Sequence, residues 1–213
     1  MKLRKGEFIS IGIIAVMFAA AFIVMPYMPL QMVSHWGIDG KPNGYMPRIP
    51  ALFILPCMSL VMFLTFAVIS RIDPKGKIKE FAVSFDSFTA IFFGLFAYVY
   101  TILILTGAGL SFDMNAVMAP FFSGLYLALA GLVENAKPNY FVGVRTPWTL
   151  ENPEIWARTH ERGGLVFRLC GFIAIGGLFV PRLVIFFAVV PPGIGIIYLI
   201  YYSYKLYAGT KTP

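Results

Sequence analysis

Between Asn139 and Gly164 the chain reads NYFVGVRTPWTLENPEIWARTHERGG, a dense run of polar and aromatic side chains in an otherwise oily sequence. It holds two tryptophans, three arginines, one of the two histidines and three of the ten acids. Asn152-Pro153-Glu154 supplies an N-cap, a first-turn proline and an acid at the positive helix end, so a helix is expected from Pro153. On it Trp156, His160 and Gly164 recur at i, i+4 and i+8 and share one face. That face sets a titratable imidazole between a large ring and a bare backbone patch. It suits His160 to general acid–base work. It equally suits an interfacial Trp156, a His160 bonded to a neighbouring loop, and a Gly163-Gly164 step that admits helix packing. Glu154, Arg158 and Arg162 form a second face, which reads as solvated surface with weak i,i+4 pairs.

Just upstream, Gly143 to Thr149 should form a rigid turn, because Pro147 biases Thr146 to an extended shape. Arg145 in that turn carries a planar fork suited to carboxylate or phosphate. It would serve as an anion clamp beside His160, as a lipid-phosphate contact, or as a clip to an acid at a helix end. Asp86 and Glu134 are the acids expected at the same depth, and Arg168 is a second cation one turn into an apolar run. Ionisable groups at membrane depth are costly unless paired or functional. An inner polar cluster of Asp86, Glu134, Arg145, His160 and Arg168 is therefore expected, with Glu134 opposite Arg145. Asn139, Thr146, Trp148 and Trp156 complete the candidate binding residues of this side.

A second, weaker constellation lies at Ser34-His35-Trp36-Gly37-Ile38-Asp39-Gly40. His35 and Asp39 are too few for a metal site, so no metal is expected. Trp36 and Tyr45 should sit at headgroup level, while His35 and Asp39 shape the loop or meet a ligand. No nucleophile elbow, zincin or phosphate-loop motif is present, and no cofactor is expected. Cys57 and Cys170 fall in apolar runs, outside any metal spacing, and read as buried thiols.

The elements that must position these residues are membrane spans. Charged residues are 13% of the 213 and hydrophobic ones 59%. Apolar runs of about 18 residues or more, each long enough to cross the hydrocarbon core, recur six times: about 8–26, 49–70, 82–106, 115–133, 164–180 and 183–204. Backbone in lipid must satisfy itself, and the runs lack period-2 alternation, so an all-α integral membrane protein of about six helices is expected. The first run lacks a cleavage site and should remain as a span. With both termini cytoplasmic, Lys2, Arg4, Lys5, Arg71, Lys75, Lys77, Lys79, Lys137, Arg145, Arg158, Arg162, Arg168, Lys205 and Lys211 lie inside, and only Lys41, Arg48 and Arg182 outside. That bias follows the positive-inside rule. The net charge of +7 is thus explained by topology and anionic membrane lipids, with no direct nucleic-acid contact. The outer loop 27–48, rich in Gly, Pro and Asn, should be built of turns rather than helix. The last hairpin could turn at Pro181-Arg182 or at Pro191-Pro192-Gly193, and the first leaves the final span long enough to cross. Two units follow: residues 1–70, a two-helix unit with that outer loop, and 71–213, a four-helix unit with an inner polar loop 134–164.

Two segments together resemble a known family. VGVRTPWTLENPEIWARTHERGG, with Asn139 before it and the span after it, is similar to the signature of the SdpI family of membrane immunity proteins. The stretch from Pro26 through HWGIDGKPNGY to the second span is similar to the small domain of unknown function that commonly precedes it. The resemblance implies a membrane protein that protects its cell from a secreted, membrane-active peptide toxin. In the best-known members it also implies sensing of the toxin and capture of a cytosolic repressor protein at the membrane. It implies no catalytic residues. Two readings from other classes stand beside it. One is a membrane enzyme acting on lipid or peptide through His160 and Arg145; the other is a transporter, for which the proline pair in the last span is the one hint.

Overall fold

The computed structural model describes residues 3–74 and 76–210. Lys2, Lys75 and Lys211, counted above among the inner cations, lie outside the described residues. The elements are α1 (Lys5–Val24), β1 (Gln31–Trp36), β2 (Pro42–Pro47), α2 (Arg48–Ile72), α3 (Ala82–Gly107), α4 (Met114–Asn135), α5 (Pro147–Glu151), α6 (Pro153–Ile175) and α7 (Val184–Gly209).

Five stretches among the described residues are long and apolar enough to cross a membrane: Lys5–Tyr27, Arg48–Ile72, Lys77–Gly107, Met114–Asn135 and Pro181–Gly209. They make this a multi-pass membrane protein. Ile197 and Phe186 of α7, Val61 of α2 and Phe22 of α1 point outward, as a lipid solvent requires. The sixth expected span, 164–180, is not among the five. Its residues to Ile175 belong to α6, whose first three turns carry Glu154, Arg158, Glu161 and Arg162, and the rest form an apolar turn leading to Pro181. Only Leu165–Ile175 is largely apolar, about 16 Å of helix at 1.5 Å per residue, roughly half the hydrocarbon core. Nevertheless α6 packs along both α4 and α7, inside the bundle.

The helices share two ends. At one, Arg4 before α1 meets Asp86 of α3, and Glu7 of α1 meets Arg71 at the end of α2. Ile78, Phe81 and Phe85 pack there with Leu132, Ala136 and Trp156. Trp148 binds Ser203 near the end of α7 at this same end. The start of α1 and the finish of α7 therefore lie on one side, as the charge bias requires. At the other end α1, α2 and α3 close on Met17, Ala21, Leu52, Tyr100 and Leu103, capped by Met28 and Met32. This core crosses the expected unit boundary at residue 70, because α3 packs on α1.

The outer loop, expected to be turns, is an antiparallel hairpin pairing Met32 with Met46 and Val33 with Tyr45. Its register shifts at His35 and Trp36, where Gly44 approaches the His35 Cβ too closely for a side chain of its own. Arg48 donates to the carbonyls of Met25 and Met28, tying the end of α1 to the start of α2. Asp113 caps α4, and the Asn115 amide donates to the Ile38 carbonyl at 2.8 Å, clipping the hairpin to α4. The chain turns after α6 at Pro181, and α7 runs unbroken through Pro191 and Pro192. The broken helix that a transporter would want is therefore not made by that pair.

Candidate functional site

The loop between α4 and α6 is organised by one side chain. Asn139 is fully buried and uses its whole amide. Its Oδ1 accepts from the amides of Phe141 and Val142, each at 2.7 Å, and its Nδ2 donates to the carbonyls of Lys137 and Val142. A short polar side chain that bonds its own backbone two and three residues on is the usual maker of such a turn. The turn delivers Gly143 at φ +114°, a left-handed value that favours glycine. A Cβ there would also sit 2.1 Å from the His160 Nε2.

His160 itself is 1% exposed, and its ring lies flat on Trp156 at 3.9 Å. Nε2 accepts from the Val144 amide at 3.0 Å, and Nδ1 donates to the Trp156 carbonyl at 2.8 Å. These partners fix the neutral tautomer with the proton on Nδ1. Burial holds the imidazole well below its ordinary value, to about 4, against the raising effect of the Trp156 carbonyl. Both nitrogens are spent on backbone, so the ring offers no free lone pair to a reacting group. Trp156 donates to the Ala136 carbonyl at 2.7 Å, which fixes the end of α4 to the same stack.

The Thr146–Thr149 pair closes α5. Thr149 Oγ1 accepts from the Thr146 amide and donates to the Val144 carbonyl, while Thr146 Oγ1 accepts from the Thr149 amide. Trp148 then reaches across to α7, donating to Ser203 Oγ at 2.8 Å and packing on Tyr204 and Tyr207. Asn152 caps α6 as expected, accepting from Glu154 and Ile155 amides. Gly163, Gly164 and Gly171 bring α6 onto α4, where added Cβ atoms would meet Val133, Glu134 and Leu127 at under 3 Å.

The expected inner cluster is divided. Glu134 pairs with Arg168 through two bonds, Nη1 at 2.6 Å and Nη2 at 3.1 Å. Arg145, the partner expected for Glu134, is exposed and turns back to the Tyr140 carbonyl. Its reach is taken up within its own loop, by the carbonyl five residues upstream. Asp86 belongs to a separate network: Arg4 Nε lies 3.1 Å from it, and the Gly6 amide donates to its other oxygen. Glu7, 4% exposed, joins this network through Arg71 at 2.9 Å and the Arg4 amide at 3.0 Å. The sequence places Arg4 and Arg71 only as inner cations and does not single out Glu7. An acid in the first turn of an apolar run was the available signal. Gly143 and Thr149 are expected only as the bounds of a rigid turn, and their contacts, like Ser203, are revealed only by the folded backbone.

On the outer side, His35 Nδ1 hydrogen-bonds Asn43 Oδ1, and Asp39 Oδ1 accepts from the Lys41 amide at 3.2 Å. Both bonds shape the hairpin tip. Trp36 is partly buried against the core and, with Val33, Ser34 and Met46, walls an apolar pocket of about 270 Å³ that runs down between α2 and α3.

Comparison with known proteins bears on both segments. Residues 135–203 match the SdpI/YfhL protein family, and residues 12–60 match a domain of unknown function (DUF1648). Immunity protein SdpI of Bacillus subtilis (strain 168) is 27% identical over 171 residues, 79% of this chain and 79% of that protein. No solved structure matches. The resemblance read from the sequence therefore holds on the island with α6 and α7, and on the hairpin with the helices that flank it.

Proposed function

We propose that this SdpI-like multi-pass membrane protein confers immunity on its cell against a secreted, membrane-active peptide. The observation that carries the reading is the similarity to an immunity protein over 79% of both chains. The hairpin with His35, Trp36 and Asp39 is the part that meets the peptide, since Val33, Trp36 and Met46 wall an apolar pocket and Tyr45 of the same hairpin is exposed. The exposed rim of the island, with Arg145, Glu154 and Arg158, is the part that holds a cytosolic repressor protein.

What supports a receptor over a membrane enzyme is the engagement of His160, whose two nitrogens already serve Val144 and Trp156. The test is survival of a toxin-sensitive host expressing this protein under a killing peptide. Protection by the wild type is the expected result. Unchanged survival across a panel of membrane-active peptides overturns the proposal.

A further inference from the structure

Along the outer face of α6 and α7 runs an apolar cleft of about 510 Å³, walled by Leu169, Ile173, Val190 and Ile194 and floored by Cys170 and Gly195. Its floor is low because Gly195 lets α7 approach α6; a Cβ there would meet Val166 at 2.5 Å. The cleft faces outward from the bundle, with Ile194 64% and Leu169 52% exposed. It begins at Arg162 and Leu165, which also line a polar cleft of about 510 Å³ with Arg158, Arg168 and Glu134. From Arg162 to Ile173 is about 16 Å of helix, roughly half the hydrocarbon thickness, the depth of one leaflet.

The charges at the mouth are unequal in their commitments. Arg168 is taken by Glu134, and Arg158 lies 3.8 Å from Glu154. Arg162 has no acid within ion-pair reach among the described residues and lies over the Tyr202 ring at 5.4 Å. A guanidinium steadied on an aromatic face, with its donors unspent, is well formed for phosphate.

We infer that this double cleft is a binding site for an anionic phospholipid of the inner leaflet, with the headgroup phosphate on Arg162 and an acyl chain between α6 and α7. Charge at the mouth, apolar walls below it and the one-leaflet depth together select this occupant. The site needs no toxin and stands independently of the immunity reading.

The test uses the full-length protein, extracted from vesicles of phosphatidylcholine and phosphatidylglycerol in equal parts and measured by native mass spectrometry. The expected result is a retained phosphatidylglycerol adduct in preference to phosphatidylcholine. Arg162→Ala should cut that preference by about tenfold, more than the roughly fivefold that loss of any one surface cation near an anionic bilayer would produce. Ile194→Trp, which fills the lipid-facing wall and leaves every charge in place, should lose the adduct as well. Lys137→Gln, an exposed inner cation away from the cleft, should lose no more than that roughly fivefold. Equal retention of the two lipids overturns the inference, as does an equal loss in Lys137→Gln and Arg162→Ala. Displacement of the adduct by inorganic phosphate would mean a phosphate site rather than a lipid site. A doubled mass abolished by Ile194→Trp would mean a second copy in the cleft. Either of these also overturns it.

Discussion

The inner island and the outer hairpin are both polar interruptions of an apolar chain, yet they are held in opposite ways. In the island five uncharged polar side chains are turned inward onto backbone: Asn139, Thr146, Thr149, Asn152 and His160 each satisfy amides or carbonyls of the loop or of α6. The hairpin is held by its ladder, by Asn115 on the Ile38 carbonyl and by Arg48, while the tip side chains of His35, Asp39 and Asn43 bond only within the hairpin. The island is thus a rigid platform whose exposed charges alone are free for partners. The hairpin is two paired strands over an apolar pocket.

The comparison breaks most readily at Gly143. Gly143→Ala adds a Cβ at a left-handed φ and against His160, and should cost about 4 kcal/mol, combining backbone strain with overpacking. The expected result is loss of the monodisperse detergent-solubilised protein; near wild-type thermal stability would show that the island is not rigid. Asn139→Ala removes a saturated buried amide and leaves its backbone partners orphaned, for about 3 kcal/mol, read as a lower unfolding midpoint.

A pH series sharpens the same contrast. His160 titrates at about 4 when folded, against an ordinary value of 6.5, so between these the unfolded chain binds more protons. The stabilising contribution of the neutral ring is complete above pH 6.5, declines as pH falls, and is lost by pH 4, a change of about 3 kcal/mol. Thermal melts from pH 7 to 4 should show this slope, and His160→Gln should flatten it. The double charge swap Glu134→Arg with Arg168→Glu should recover most of the roughly 1 kcal/mol lost by either single change, since the pair is partly exposed. Swapping Glu134 with Arg145 should recover nothing. At the hairpin tip Asn43→Ala should cost about 0.5 kcal/mol or less, an order below Gly143→Ala. A larger loss would erase the distinction between the two regions.

Composition made the bundle legible, because runs of apolar residues can be read one at a time. The N-cap at Asn152 and the turn at Pro181 were legible for the same reason: each is a local preference of a few consecutive residues. The hairpin was hidden because glycine, proline and asparagine mark turns without saying that the segments between them will pair. The pairing of Glu134 was misjudged because its reach depends on where α6 lies, 34 residues further on. Arg145 was nearer in sequence but folded back on its own loop. The acid–base promise of the Trp156–His160 face was sound as spacing. What spacing could not convey is that the Val144 amide occupies the ring nitrogen that chemistry would need. The half-apolar α6 was legible only in part, since its first three turns are charged while its remainder runs largely apolar to the turn at Pro181.

The bond from Trp148 to Ser203 sets an order on biogenesis. The loop that carries Trp148 leaves the ribosome some fifty residues before its acceptor, so the island waits half-closed while α6 and α7 are inserted. Only when α7 is in place does the latch shut, so the finished platform depends on the arrival of Ser203.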